Sequence, residues 1–413
     1  MKILIYHPSG NSNVRAIAKG FLTQGVLYQF HTSIAVFPNN FWHKIANLKG
    51  LGDIRRRSFD SGLQAYTEVY PIQELGRMVA SKLSLSSLIK SETGFFCVDR
   101  IYQNLDKKIS KKLLNAKKNG LTAVYAYEDG ALETFTAAKK LGLECIYDLP
   151  IAYHTLLQEL LREEAARKPN WAFTLGGGIN DSVQKLERKR KELELADTII
   201  VASDFVRQSL PNWAKGKKII QSPFGTPFSS VQFDLEEKDA DKKLRVLFVG
   251  SMTQRKGLSD LFDAIKLVDS SKVELVVLGS LAAPLSFYDD QLQFTYEPTR
   301  SHDLVLELMK SCDVFCLPSI VEGRALVIQE AMSQGLPIII TANTGAEDLV
   351  ISEETGFLVP IRNPEAIAEK INWFLKHRDK IFQMGKNAKQ LADTYSWDSY
   401  ADKIYNVLSS KSN

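Results

Sequence analysis

The sequence predicts an α/β protein of two doubly wound, Rossmann-like domains, and three observations carry that expectation. The chain has 413 residues, more than one core ordinarily serves. Short apolar runs of strand length alternate with helical segments in two separate stretches. Each stretch opens in the same way, with an apolar strand, a glycine-bearing turn and a helix.

The first stretch begins with the strand Lys2-Ile-Leu-Ile-Tyr6, the loop His7 to Asn13 and a helix from Val14 to about Gln24. Further strands are expected at 123–126, 144–147 and 198–201, with helices between them, for example 131–140. The second stretch restarts at Leu244-Arg-Val-Leu-Phe-Val249, turns at Gly250 and enters a helix near Leu258. Its later strands are expected at 273–278, 314–317 and 337–340. Between the two lies Pro223-Phe-Gly-Thr-Pro-Phe228 and an acidic, polar run, which together read as a linker. The boundaries that follow are 1–225, a linker at 226–243, and 244–394. The segment from Leu156 to Glu194 is charged and helical in pattern, broken near Lys168-Pro-Asn170 and by Gly176-Gly-Gly178. Its glycines read as a flexible hinge or a loop beside the N-terminal unit's ligand.

Composition excludes several classes. A net charge of +4 is too weak to argue for nucleic acid. The apolar runs are too short for a transmembrane span, and the N-terminus lacks the apolar region and cleavage site of a secretory signal, so a cytoplasmic location is expected. Of the four cysteines, Cys97, Cys145, Cys312 and Cys316, none forms a Cys-x-x-Cys pair; buried free thiols are expected. The six histidines form no metal-ligand spacing, so no metal site is expected. The charge is clustered nonetheless: Arg55-Arg56-Arg57 follows an aromatic stretch, and lysines from 107 to 118 crowd one helix. That pattern is a solvated basic face, or a surface for an anionic acceptor or the inner face of a membrane.

Glu322 and Glu330 stand with seven residues between them, after an apolar strand and a glycine-containing turn that leads into a helix. Free N–H groups at a helix start suit phosphate, and a carboxylate further along can accept from sugar hydroxyls. Helical rise over eight residues gives about 12 Å, beyond the roughly 5–9.5 Å of either glycosidase mechanism. The two acids are therefore read as serving different parts of one ligand. The turn Gly250-Ser-Met-Thr-Gln-Arg-Lys-Gly257 adds Arg255 and Lys256 at the sheet's C-terminal edge, where a guanidinium fork and an ammonium suit a diphosphate. In the first unit, Gly10 lets backbone approach a ligand closely. Tyr127-Glu-Asp129, Asp148 and His154 follow later strands and are candidates for touching an acceptor hydroxyl.

With these residues in hand, the chain resembles the retaining glycosyltransferases of family 4, of GT-B architecture. Glu322 through Glu330 matches the family's Glu-x7-Glu motif, and Gly345-Ala-Glu-Asp-Leu-Val350, Thr355-Gly-Phe-Leu-Val-Pro360, Asn363-Pro-Glu-Ala-Ile367 and Ser396-Trp-Asp-Ser-Tyr400 look like the segments that follow. The resemblance covers roughly residues 244–408. It implies two domains facing a central cleft, with a last helix, about 395–413, packing back on the N-terminal domain. It implies catalytic roles for Arg255, Lys256 and Glu322: the two cations neutralise the departing diphosphate and Glu322 contacts the sugar. Gly10, Ser251, Gly323, Arg324, Ala325, Leu326 and Glu330 would bind the donor, Glu330 at the ribose. The chain departs from the pattern at Ser251, where the family often has Arg, and at Glu322-Gly-Arg-Ala325, where Glu-Gly-Phe-Gly is usual and Arg324 could help bind phosphate or bias the sugar. It also departs at Tyr147-Asp148, where His-Asp is common.

The implied function is metal-independent, cofactor-free transfer of a hexose, with retention, from a nucleoside diphosphate sugar to a saccharide, lipid-linked or small-molecule hydroxyl acceptor. An epimerase on the same fold, or a binding protein with a decayed site, is the alternative. A nicotinamide-dependent dehydrogenase is disfavoured, because no Gly-x-Gly-x-x-Gly opens either unit.

Overall fold

The architecture was described from a computed structural model that covers residues 1–38, 40–46, 52–227 and 242–410. The linker assigned to 226–243 falls mostly outside the described residues.

Two parallel sheets make up the framework. The N-terminal sheet holds β1 (Ile3–Tyr6), β2 (Leu27–Thr32), β3 (Thr67–Val69), β4 (Ala123–Tyr127), β5 (Glu144–Leu149), β6 (Thr198–Val201) and β7 (Lys218–Gln221). Their order is β3-β2-β1-β4-β5-β6-β7, all parallel. The C-terminal sheet holds β8 (Leu244–Val249), β9 (Val273–Leu278), β10 (Thr295–Glu297), β11 (Val314–Leu317), β12 (Ile338–Ile340) and β13 (Gly356–Leu358). They run in the order β10-β9-β8-β11-β12-β13, again all parallel. The central strands are buried on both faces, which is why they read as continuous apolar runs rather than alternating ones. The outer strands β3, β10 and β13 are three residues each and lack the fully buried apolar run that marks β12, so they do not announce themselves in the sequence.

Strand order reverses between β1 and β4 in one sheet and between β8 and β11 in the other. Crevices for ligands open at such switch points, beyond the strands' C-terminal ends. The loops that matter are therefore those after β1, β4, β8 and β11, and all four carry residues singled out from the sequence.

Two chain crossings join the units. The last helix, Trp397–Ser409, packs on the first, Ser12–Thr23, with Tyr400, Ala401, Ile404 and Leu408 inside the N-terminal core. Ser222 Oγ and Lys218 Nζ donate to the carbonyls of Tyr400 and Val407 at 3.0 and 2.8 Å. The second crossing is the segment whose pattern is helical in the sequence: a helix, His154–Arg167, that breaks at Lys168-Pro-Asn170 into a turn, Pro169–Thr174, seated on the C-terminal unit. Trp171 is buried in that unit's core, edge-on to Phe262, Phe287 and Tyr288 with ring centroids 5.1–5.9 Å apart, and its indole N–H donates to Gln291 Oε1 at 2.8 Å. Arg167 forks Asp260 at 2.7 Å to each oxygen, and Lys168 pairs with Asp263. Helical periodicity marks the arm but not its seat, because its apolar contacts come from another domain.

Candidate functional site

The C-terminal wall is set by the loops after β8 and β11. Past β8 the chain turns through Gln254–Lys256 and enters the helix Leu258–Lys266. Gln254 is fully buried: its amide donates to Glu164 Oε1 at 2.7 Å and Asp260 Oδ2 at 2.9 Å, and its backbone N–H donates to Thr174 Oγ1 at 3.0 Å. The crossing arm thus fixes the residue next to Arg255 and Lys256. Both cations converge on one oxygen: Arg255 Nη1 lies 2.9 Å and Lys256 Nζ 2.7 Å from Glu322 Oε1. Two positive charges on one carboxylate leave a net positive charge at the turn. Glu322 Oε2 has no protein hydrogen-bond partner among the described residues and remains an acceptor.

The helix after β11 is Leu326–Ser333, so Glu322 precedes it on the loop and only Glu330 is helical. The helical-rise separation drawn from the sequence therefore does not apply; what separates the two acids is their partners. Glu330 Oε1 lies 3.2 Å from His302 Nε2, whose pKa is raised by that hydrogen bond against the opposing effect of burial. His302 opens the helix that follows β10 and was not visible as a site residue in the sequence. The loop itself is held by Glu322 N–H to Asn343 O (3.0 Å) and Ala325 N–H to Thr344 O (3.1 Å). Ala325 occupies the N-cap without any side-chain cap, so the helix start presents its N–H groups uncapped. Ser251 lies in the turn after β8, where its carbonyl accepts from Thr253 N–H at 2.8 Å.

Arg324 corrects an expectation. Its side chain is 1% exposed and turns away from the cleft, donating to Asp348 Oδ1 (2.7 Å), Gly345 O (3.1 Å) and Gln329 Oε1 (3.0 Å). The guanidinium is held by protein acceptors behind the loop, with only Nη2 buried and unpaired among the described residues.

The N-terminal wall faces this across a close contact. Ser203 Oγ donates to Gly323 O at 2.7 Å. A Cβ on Gly323 would lie 1.8 Å from the carbonyl oxygen of Pro150, so only glycine permits this approach. Gly10, at φ +61°, is in the left-handed region, and a Cβ there would meet the Phe59 ring at 2.3 Å. The N–H groups of Ser9 and Gly10 both donate to His7 Nδ1 at 3.1 Å. Burial, reinforced by nearby Arg57, pushes His7 down to about 3. The ring is therefore neutral with its proton on Nε2, which donates to Tyr102 Oη at 3.0 Å. Tyr102 is on the wall of a cavity of about 810 Å³. Gly10, Glu128, Pro150 and Leu326 are on that cavity's wall, so it spans both units.

The three acceptor-side candidates are not on the cavity wall. Asp148 is buried in the N-terminal core, accepting from Tyr125 Oη at 2.6 Å; burial raises it to about 7, against hydrogen bonds from Tyr125, Tyr127 and Tyr400. Asp129, at φ +70°, turns toward Lys189 (3.6 Å) and Lys185 (4.0 Å). His154 opens its helix with its ring against Tyr153, centroids 4.2 Å apart, and burial lowers it to about 4. The wall takes Tyr127 and Glu128 instead, from the same strand end as Asp129. Burial raises Glu128 to about 7, with Lys189 at 3.3 Å opposing.

By fold, this is a GT-B molecule. It is similar along 99% of its length to sucrose-phosphate synthase from Thermosynechococcus elongatus (98% of that chain, TM-score 0.65, 18% identity). It is similar along its whole length to all of Anabaena HepE solved with UDP (TM-score 0.59, 16% identity). Residues 232–391 match the family model for glycosyl transferases, group 1. Among curated relatives, the capsular polysaccharide biosynthesis glycosyltransferase CapM of Staphylococcus aureus is 28% identical over 241 residues, 52% of this chain and 62% of that one. An uncharacterized glycosyltransferase of Methanocaldococcus jannaschii is 30% identical over 181 residues, 40% of this chain and 45% of that one. The chain spans about half the length of the curated relatives it matches. No helix among the described residues is long and apolar enough to cross a membrane.

Proposed function

We propose that this chain is a retaining glycosyltransferase moving a hexose from a nucleoside diphosphate sugar to a hydroxyl acceptor, in polysaccharide, glycolipid or small-molecule glycoside biosynthesis. The observation that carries this is the convergence of Arg255 and Lys256 on Glu322 Oε1, beside an uncapped helix start at the sheet's switch point. The diphosphate takes the place of Glu322 on the two cations, which then stabilise the negative charge that grows on the leaving phosphate. Glu322, with Oε2 already open, turns to the donor sugar's hydroxyls. The backbone N–H groups from Gly323 to Leu326 meet the phosphates. Glu330, steadied by His302, accepts from the ribose. The acceptor enters from the N-terminal cavity, and the Gly323–Pro150 contact excludes water from the donor. Named relatives favour this class: HepE was solved with UDP and with UDP-glucose, and SQD2 of Arabidopsis thaliana is a sulfoquinovosyl transferase. The working location is cytoplasmic, with peripheral contact at the inner face of a membrane.

A thermal-shift screen of nucleoside diphosphates and their sugars tests this reading. One nucleotide is expected to stabilise the protein, because a ligand bound only to the folded state raises the midpoint. No shift with any nucleotide would overturn the assignment. The cations take the role a metal plays elsewhere, so transfer is expected to persist in excess chelator; strict metal dependence would contradict the roles of Arg255 and Lys256. Gly323→Ala is expected to lower turnover by roughly tenfold at saturating donor, since the added Cβ forces the two walls apart and misplaces the reacting groups. Unchanged turnover in that variant would show that transfer does not use this contact.

A further inference from the structure

The N-terminal half of the cavity carries more positive charge than its own acids neutralise. Arg57 and Arg77 share one buried carboxylate, Glu74: Arg57 Nη2 bonds Oε1, while Arg77 bonds Oε2 through Nε (3.0 Å) and Oε1 through Nη2 (2.6 Å). Two guanidiniums on one carboxylate leave one net positive charge. Arg15 meets only neutral oxygens among the described residues, at the Arg56 carbonyl (2.9 Å), the Ser58 carbonyl (3.4 Å) and Ser12 Oγ (3.3 Å). Its charge adds a second. His7 beside them is neutral, and Glu128, the acid among this wall's described residues, is already paired with Lys189 at 3.3 Å. Neutral donors complete the corner: the hydroxyls of Ser12, Ser81 and Tyr102, and the start of the helix Ser12–Thr23, which has no side-chain cap.

We infer that Arg15, Arg57 and Arg77 form a seat for a phosphoryl group carried by the acceptor. The inference rests on the glycosyl-transfer reading and names its acceptor class. Guanidinium forks match phosphate oxygens, and two uncompensated positive charges match a phosphate monoester dianion better than a neutral sugar. The donor's diphosphate is assigned to Arg255 and Lys256, which are absent from this wall; Gly10 and Leu326, which line it, set the two seats side by side in one cavity. The helix Ile72–Lys82, which supplies Arg77, also exposes Val79 and, past its end, Leu83, so the phosphate has two sources, a soluble phosphate ester or a lipid head group.

The test uses the full chain saturated with the nucleoside diphosphate that stabilises it in the thermal-shift screen, which fills the proposed donor seat. Inorganic phosphate and phosphatidylcholine vesicles carrying phosphatidic acid are then titrated in separate arms. Binding in either arm is expected to weaken roughly fivefold or more in Arg15→Gln and in Arg77→Gln, with Arg15→Lys restoring most of it. Arg77→Gln leaves Arg57 on Glu74 and keeps the test valid if Arg15→Gln misfolds. Phosphate binding alone identifies a soluble ester; vesicle binding lost in the same variants identifies a lipid-borne one. Binding in neither arm, or equal binding by both variants and the wild type, overturns the inference. Failure of uridine and other nucleoside diphosphates to stabilise the wild type sinks the transfer reading instead, and leaves the phosphate result to stand by itself.

Discussion

Lys256→Ala is expected to lower glycosyl transfer by roughly a hundredfold without unfolding the protein, measured as turnover of donor in the presence of acceptor. The ammonium stands 2.7 Å from Glu322 Oε1 and shares that oxygen with Arg255. Its removal has two effects of the same sign. The leaving diphosphate loses a charge that strengthens in the transition state, when negative charge concentrates on the departing oxygen. Glu322 is also left with Arg255 alone, so the turn loses the net positive charge that draws the donor in. Arginine at 256 is expected to restore only part of the rate, because a planar fork does not place its charge where an ammonium does. Wild-type turnover in Lys256→Ala would remove this turn from the catalytic site.

Trp171→Ala is expected to destabilise the C-terminal unit by about 3–5 kcal/mol, the usual cost of emptying a large aromatic site in a core. The indole is 3% exposed among Phe262, Phe287 and Tyr288, and its loss orphans Gln291 Oε1. The consequence reaches the site, because the same arm carries Glu164 and Thr174, which hold Gln254 beside Arg255 and Lys256. The denaturation midpoint and the donor affinity are expected to fall together. A lower midpoint with unchanged donor affinity would mean that the cation turn keeps its shape without the arm.

The fold was legible because buried parallel strands must be apolar on both faces, and β1, β4, β5, β6, β8, β9, β11 and β12 all are. The glycine turns after β1 and β8 and the spacing of Glu322 and Glu330 were legible for a related reason: a helix start facing a ligand restricts which residues fit. The likeness is uneven in the same way: the fold is similar over the whole chain, while the match to glycosyl transferases, group 1, falls on residues 232–391. The acid and cation cluster comes mostly from two loops of the C-terminal unit, while the cavity's N-terminal wall gathers residues scattered from His7 to Phe224.

Local sequence determined the two sheets, the two switch-point loops and the identity of the paired acids, since each depends on periodicity or on a few adjacent residues. Tertiary structure alone decided the partners. It gave Glu330 to His302 and Glu322 to both cations, and it buried Arg324 on Asp348. It drew Asp148 under the last helix, and it collected Arg15, Arg57 and Arg77 on one wall. A side chain's charge is written in the sequence, but whether it meets solvent, an opposite charge or a ligand depends on which distant segments fold against it, and that fixes what the charge can do.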